Sequence, residues 1–90
     1  MFKTLEELIA VIRQRKVSSA EESHTKKLLN DKKLSIEKVK EEIAELIDAI
    51  EKNKNKVHEA ADVLYHLMVL LEASGIKIED VIDELKKRQK

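Results

Sequence analysis

Apolar residues recur at three- and four-residue spacing along most of this chain, a pattern that predicts helices separated by short polar breaks. Leu5, Leu8, Ile9, Val11 and Ile12 follow Thr4, which forms a capping box with Glu7, so a first helix is expected from about Thr4 to Lys16. Residues 16–20 read as a break. Ser19 with Glu22 makes a second, weaker capping box, opening a short helix that carries Leu28 and Leu29 to about Asn30. Ser35 is the expected N-cap of a third helix, in which Ile36, Val39, Ile43, Leu46, Ile47 and Ile50 form one apolar stripe. Glu41, Glu45 and Asp48 lie roughly opposite, with Glu42 at the stripe's edge. The polar segment 51–56 is short enough to reverse the chain, so a fourth helix, about Val57 to Ser74, should run antiparallel to the third. Gly75 fits the position after its end, and Ile76, Ile78, Val81, Ile82 and Leu85 predict a last amphipathic helix with a basic tail.

The fourth helix is apolar nearly all the way round, from Val57 and Ala60 through Leu64, Leu67 and Met68 to Leu71, more than a lone hairpin partner can cover. The expectation is therefore an all-α fold: an antiparallel helical hairpin with flanking helices, its bundle core completed by dimerisation. Residues 1–90 make one domain.

Composition agrees: one Gly, no Pro, two aromatic residues and 40% charged residues suit helices rather than strands. The 18 basic and 18 acidic residues cancel, so nothing draws the chain in bulk to nucleic acid or an anionic membrane. Without cysteine, disulfides, thiolate metal sites and a cysteine nucleophile are excluded. The longest apolar stretch contains Asp62 and His66 and falls short of the ~20 residues a bilayer span needs. No secretory signal is evident, and a cytoplasmic location is expected.

Candidate chemistry lies in two acidic pairs, Glu42/Glu45 and Glu59/Asp62, each three residues apart on successive helices. Residues at that spacing share a helix face, so if the turn joins the two faces, with Glu41 beside them, several carboxylates meet. Two such charges about 6 Å apart repel by roughly 3 kcal/mol at an effective dielectric near 20, a crowding that demands protons or a cation. All-oxygen ligands favour Mg²⁺, with Mn²⁺ as the substitute, over zinc. The plainer readings are that Glu41, Glu42 and Glu45 form a solvated face paired with Lys38 and Lys40, and that Asp62 is a buried acid held by a Lys or Arg. His66 reads as a hydrogen-bonded core residue, and His24 and His58 as surface residues. Arg13, Arg15, Lys16, Lys26 and Lys27 supply cations for phosphate, or simply a charged helix face.

The run 59–71, EAADVLYHLMVLL, preceded by KVKEEIAE at 38–45, closely resembles the phosphoribosyl-ATP pyrophosphohydrolase family of histidine biosynthesis. The resemblance extends over nearly the whole chain, and its shorter Glu-x-x-Glu, Glu-x-x-Asp pattern is similar to that of the wider MazG-like nucleotide pyrophosphohydrolases. It implies Mg²⁺ held by Glu42, Glu45, Glu59 and Asp62, with Glu41 a further ligand or the base that orients water, so that Glu41 and Glu42 are the catalytic candidates. It also implies substrate-phosphate contacts from Arg15, Ser23, Thr25, Lys27 and Lys38. The chain departs from the family in having His24 between Ser23 and Thr25, Lys40 where a glycine is usual, and a slightly shorter connection from Leu29 to Lys38. Lys40 is expected to bring a cation and a long side chain beside the acids.

The implied reaction is hydrolysis of the α–β phosphoanhydride of phosphoribosyl-ATP to phosphoribosyl-AMP and pyrophosphate. The implied partners are a small nucleotide and a second copy of the chain, with no nucleic acid or membrane. Two alternatives stay open: a MazG-like housekeeping hydrolase of ordinary or damaged nucleoside triphosphates, and a non-catalytic helical dimer.

Overall fold

The computed structural model describes residues 3–17 and 24–89, apart from the side chains at positions 3, 15–17 and 24–26. Five helices make up the described chain: α1 (Lys3–Val17), α2 (His24–Asn30), α3 (Lys32–Lys52), α4 (Lys56–Ala73) and α5 (Ile78–Arg88). The fold is all-α, as the periodicity predicts. The expected Ser19/Glu22 capping box lies outside the described residues.

Local chemistry sets the helix ends. α3 begins one turn earlier than expected: the Asp31 side chain accepts a hydrogen bond from the Leu34 N–H at 3.1 Å, and the Ser35 N–H already donates to the Asp31 carbonyl at 3.0 Å. Asp31 wins over Ser35 because its carboxylate both caps the helix and faces the positive end of the helix dipole. Ser35 is instead fully buried inside the first turns of α3. Between α3 and α4, Asn53 and Asn55 both adopt left-handed backbone angles, which asparagine tolerates better than most residues, and the chain reverses within three residues. At the end of α4, Gly75 has φ of 74°, its N–H donates to the Glu72 carbonyl and the Ile76 N–H donates to that of Leu71. These are the paired bonds of a Schellman closure. A Cβ on Gly75 would meet nothing within 4 Å, so the backbone angle alone requires glycine there.

The α3–α4 hairpin is antiparallel, since Glu42 approaches His66 while Glu45, further along α3, approaches Glu59, earlier along α4. α1 and α2 pack on the C-terminal half of α4. There Ile12, Leu28, Leu29, Met68 and Val69 form the buried core, flanked by Leu8, Ile9, Leu34, Tyr65 and Ala73. Among the described residues, the N-terminal half of α4 lies outside this core and faces α3.

The apolar stripe expected to bury on α3 is mostly uncovered. The buried row is Ser35, Val39, Glu42 and Ala49, whereas Ile36, Ile43, Ile47 and Ile50 are exposed, the last two by 53% and 56%. Small Ser35 and Ala49 allow the helices to approach closely, and the bulkier isoleucine row, a quarter turn away, is left outside. On α4, Val57, Leu64 and Leu67 are likewise exposed.

α5 is attached to the rest of the fold through a polar clamp. The Arg13 guanidinium donates to both carboxylate oxygens of Glu79, at 2.6 and 2.9 Å, and reaches Glu72 at 3.4 Å. It thereby joins α1, the end of α4 and the start of α5, and is not free to hold a substrate phosphate. The Arg13 hydrogen bonds hold the Glu79 carboxyl well below its ordinary value, at about 2. An acid with a depressed folded-state pKa stabilises the fold above its unfolded value and loses that contribution as pH falls. The Tm difference between wild type and Glu79→Gln is therefore expected to be full at neutral pH, to shrink below about pH 4.5 and to vanish near pH 2. Thermal unfolding across that range checks it, and a difference independent of pH would rule out the clamp.

Candidate metal centre

The site is built where α3 and α4 face each other near their connecting turn. From α3 come Glu42 on the inner row and Glu45 three residues on; from α4 comes Glu59 in the first turn. Each of the three carboxylates offers an oxygen, and these oxygens lie within 4.8 Å of one another. Glu59 also converges with His58 and Asp62 at the same spacing. The structure thus brings all four predicted metal-binding acids, Glu42, Glu45, Glu59 and Asp62, into one connected cluster.

The burial of these acids differs from expectation. Asp62, set in the apolar run of α4, retains a side chain 40% exposed and lies 3.4 Å from His58 Nε2. Glu42 is the buried acid, only 9% exposed. The reason is the one-sided cover of α4: α1 and α2 shield its C-terminal half, and nothing among the described residues closes over Asp62. Glu42 points inward between the paired helices. Its Oε2, like the Oε2 of Glu59, is buried without a hydrogen-bond partner among the described residues.

Burial, followed by the charges of Glu45, Asp62 and Glu59, raises the Glu42 carboxyl above the ordinary carboxylate range. Burial and Glu45 likewise raise Glu59, against a lowering influence from His58. His66 Nε2 lies 3.9 Å from Glu42 Oε1, beyond hydrogen-bonding distance. His66 is itself largely buried and packs edge-to-face on Tyr65, with ring centroids 5.2 Å apart. Crowded carboxylates with two buried, partnerless oxygens suit a hard divalent cation, and the all-oxygen donor set of Glu42, Glu45 and Glu59 fits Mg²⁺.

A cleft of about 580 Å³ opens beside the acids. Glu41, Glu45 and Glu59 line one part of it, and Lys52, Lys54 and Asn55 of the turn line another. Glu41 is half-exposed at the rim, with its carboxylate 3.6 Å from Lys38 Nζ. Lys38 therefore borders the acid face, as a phosphate contact requires. Lys27 is exposed on α2 and makes no ion pair with the acids among the described residues. Ser23 and the side chains of Arg15 and Thr25 lie outside the described residues.

Lys40 does not stand beside the acids. It is exposed and pairs with Glu37 at 3.8 Å, and at about 100° per residue it projects roughly 140° around α3 from Glu45. Sequence reasoning missed Lys52 and Lys54, having treated segment 51–56 only as a reversing turn. Their signal was the run of lysines directly after the acidic helix. Lys52 is held by Asp48 at 3.2 Å, while Lys54 has no ion pair among the described residues.

Removing one charge from this cluster should expose the repulsion it stores. In chelator at pH 8, metal-free Glu42→Gln is expected to melt above the wild type, because a neutral amide relieves a buried, crowded carboxylate. Mg²⁺ should raise the wild-type Tm and leave the variant nearly unmoved. A metal-free variant melting well below the wild type would contradict the repulsion.

The family described as phosphoribosyl-ATP pyrophosphohydrolase matches residues 5–89. The chain is similar to the phosphoribosyl-ATP pyrophosphatase of Methanocella arvoryzae, 41% identical over 100% of this chain and 100% of that protein. It is also similar to the phosphoribosyl-ATP pyrophosphatase of Caulobacter sp. (strain K31), 40% identical over 99% of this chain and 85% of the relative. The chloroplastic histidine biosynthesis bifunctional protein hisIE of Arabidopsis thaliana is 42% identical over 94% of this chain, which spans 33% of that longer protein. With the matched region running from α1 through α5 and the four acids brought together within it, the chain belongs to the phosphoribosyl-ATP pyrophosphohydrolase family.

Proposed function

We propose that this protein hydrolyses the α–β phosphoanhydride of phosphoribosyl-ATP, releasing pyrophosphate and phosphoribosyl-AMP, with its acid cluster holding Mg²⁺. The observation that carries the proposal is the convergence of Glu42, Glu45 and Glu59, two of them with buried oxygens that lack a partner among the described residues, beside a cleft of nucleotide size that Glu45 and Glu59 line. The names of the relatives, phosphoribosyl-ATP pyrophosphatase and histidine biosynthesis bifunctional protein, support the substrate.

Mg²⁺ in this place would neutralise the carboxylates, polarise phosphoryl oxygens and make a nearby water more acidic. The chain's own residues do the rest. Glu42, Glu45, Glu59 and Asp62 would hold the cation from two helices, locating the reacting phosphate relative to the backbone. Glu41, lining the cleft and outside the buried row, would accept a proton from the attacking water, with Lys38 Nζ 3.6 Å from its carboxylate. Lys54, at the turn, offers an uncommitted ammonium group to the phosphates that depart as pyrophosphate.

Lys40, a departure from the family pattern, projects away from the acids and so lends no support to a preference for other triphosphates. A substrate panel tests the choice directly. Pyrophosphate release from phosphoribosyl-ATP is expected with Mg²⁺, to fall to background in chelator, and to drop by at least about a hundredfold in Glu45→Gln with the helical fold retained. Faster hydrolysis of ordinary or modified nucleoside triphosphates than of phosphoribosyl-ATP would overturn the substrate, and metal-independent release would overturn the cation.

The working unit in this proposal is a homodimer. At about 100° per residue, Ile43 lies roughly 160° around α3 from Glu45, and Leu64 the same angle around α4 from Asp62. The hairpin thus has an acidic flank and an apolar one. The apolar flank displays Ile43, Ile47, Ile50, Leu64 and Leu67, a larger uncovered surface than a small soluble domain keeps. A second copy would bury it. Sedimentation at micromolar concentration is expected to give twice the mass of one chain, and Ile47→Glu to dissociate it; a folded wild-type monomer would remove the dimer.

A further inference from the structure

One buried polar side chain between the paired helices has no part in the chemistry above. On α4, Glu59, Asp62, His66 and Val69 follow one another at three- and four-residue steps and so share a face. Glu59 and Asp62 belong to the acid cluster, and Val69 is fully buried in the core. His66 is the step between them. An apolar residue would suit the core side of that boundary, yet the position holds an imidazole whose Nε2 approaches the one buried acid of α3 among the described residues.

Both side chains of the pair are only 12% exposed, and Nε2 lies 3.9 Å from Glu42 Oε1. That is about 1 Å longer than an N–H···O bond. Glu42 has three side-chain torsions, so its carboxylate can close the gap without a shift of the backbone. The ring of His66 is more constrained: it packs edge-to-face on Tyr65, which itself flanks the buried core. The acids that bear on Glu42, namely Glu45, Asp62 and Glu59, all carry its own sign, whereas the imidazole brings a donor. In so dry a place water competes little for that bond, which is worth more there than at the surface. Packing alone is the competing account, but a phenylalanine would fill the same space beside Tyr65 and offer the acid nothing.

We infer that His66 is a positioning residue for the metal centre: its Nε2–H donates to Glu42 Oε1, so that Oε2, buried without a partner among the described residues, is the oxygen left for the cation. The inference rests on the acid cluster's holding Mg²⁺, as proposed above, and adds the residue that orients its buried ligand. A ligand held by such an outer hydrogen bond binds its metal more tightly, and loss of the outer partner typically weakens binding by about 10–100-fold.

The test uses the intact chain without a histidine tag. Long-range ¹H–¹⁵N NMR of the metal-free protein at pH 8 reads which ring nitrogen of His66 carries a proton, and Nε2 is expected. Calorimetry with Mg²⁺ alone then compares two variants. His66→Phe keeps the bulk of the ring without a donor and is expected to weaken Mg²⁺ binding by at least about tenfold. His66→Gln, whose amide N–H takes the place of Nε2–H, is expected to bind close to the wild type. The NMR reading and the Gln variant decide the matter if His66→Phe fails to fold. A bare Nε2 with the proton on Nδ1, wild-type Mg²⁺ affinity in His66→Phe, or binding by folded His66→Gln at least about tenfold weaker than the wild type would overturn the positioning role and leave the metal centre standing. A wild type that binds no Mg²⁺ would overturn the metal centre and this role with it.

Discussion

Burial of the Glu42 carboxylate against Glu45 and Glu59 is the constraint from which the rest of the structure follows. An acid on the inner row of α3 occupies a position where a packed helix pair ordinarily places an apolar side chain. Leaving it charged and unpartnered costs several kcal/mol in a molecule whose whole stability is of the order of 5–15 kcal/mol. The adjoining inner positions are small or short, Ser35, Val39 and Ala49, so the inner face of α3 buries little hydrocarbon to offset that cost. The hairpin therefore needs support from outside itself. The proposed cation would answer the charge, and apolar cover elsewhere answers the stability.

That cover is divided by position along α4. Its C-terminal half is packed by α1 and α2 around Leu28 and Val69, which are fully buried. Its N-terminal half carries the acids on one flank and uncovered Leu64 on the other. Short side chains between α3 and α4 bring the helices close enough for carboxylates from both to converge, and the same rotation turns the isoleucine row of α3 outward. One geometric choice, which row of α3 faces α4, thus produces both the acid cluster and the apolar flank.

Much of this was legible in the chain because it depends on local physics. Five helices, the reversing turn and the left-handed Gly75 follow from periodicity and backbone sterics, and the two Glu/Asp pairs announce a shared face whenever their helices are neighbours. What was hidden depends on competition between neighbours. Ser35 has the chemistry of a cap, but Asp31 takes the role one turn earlier with a full charge. The apolar stripe of α3 marks a face that avoids water without saying whether α4 or another surface covers it. Asp62 was expected to be buried because its neighbours in sequence are apolar, yet burial depends on neighbours in space, and the buried acid is Glu42 on the other helix. Lys40 and Lys54 show the same limit in opposite directions: one lies near the acids in sequence and away from them in space, and the other stands in the cleft although it reads as part of a turn.

The separation of core and acids along α4 also bears on how the site can vary. Ile12, Leu28, Leu29, Met68 and Val69 make their contacts at one end of the hairpin, and Glu45, His58, Glu59 and Asp62 lie towards the other. Changes at the acids alter charge where little hydrocarbon is packed, so they perturb ion binding more than they perturb the core. Glu42 is the exception, because it belongs both to the cluster and to the buried row between the helices. If the cluster holds the proposed cation, this side chain would couple its charge balance to the packing of the helix pair. On the proposed cation binding, ion occupancy and the tightness of the α3–α4 contact would be a single equilibrium, coupled through Glu42, the acid that is buried among the described residues.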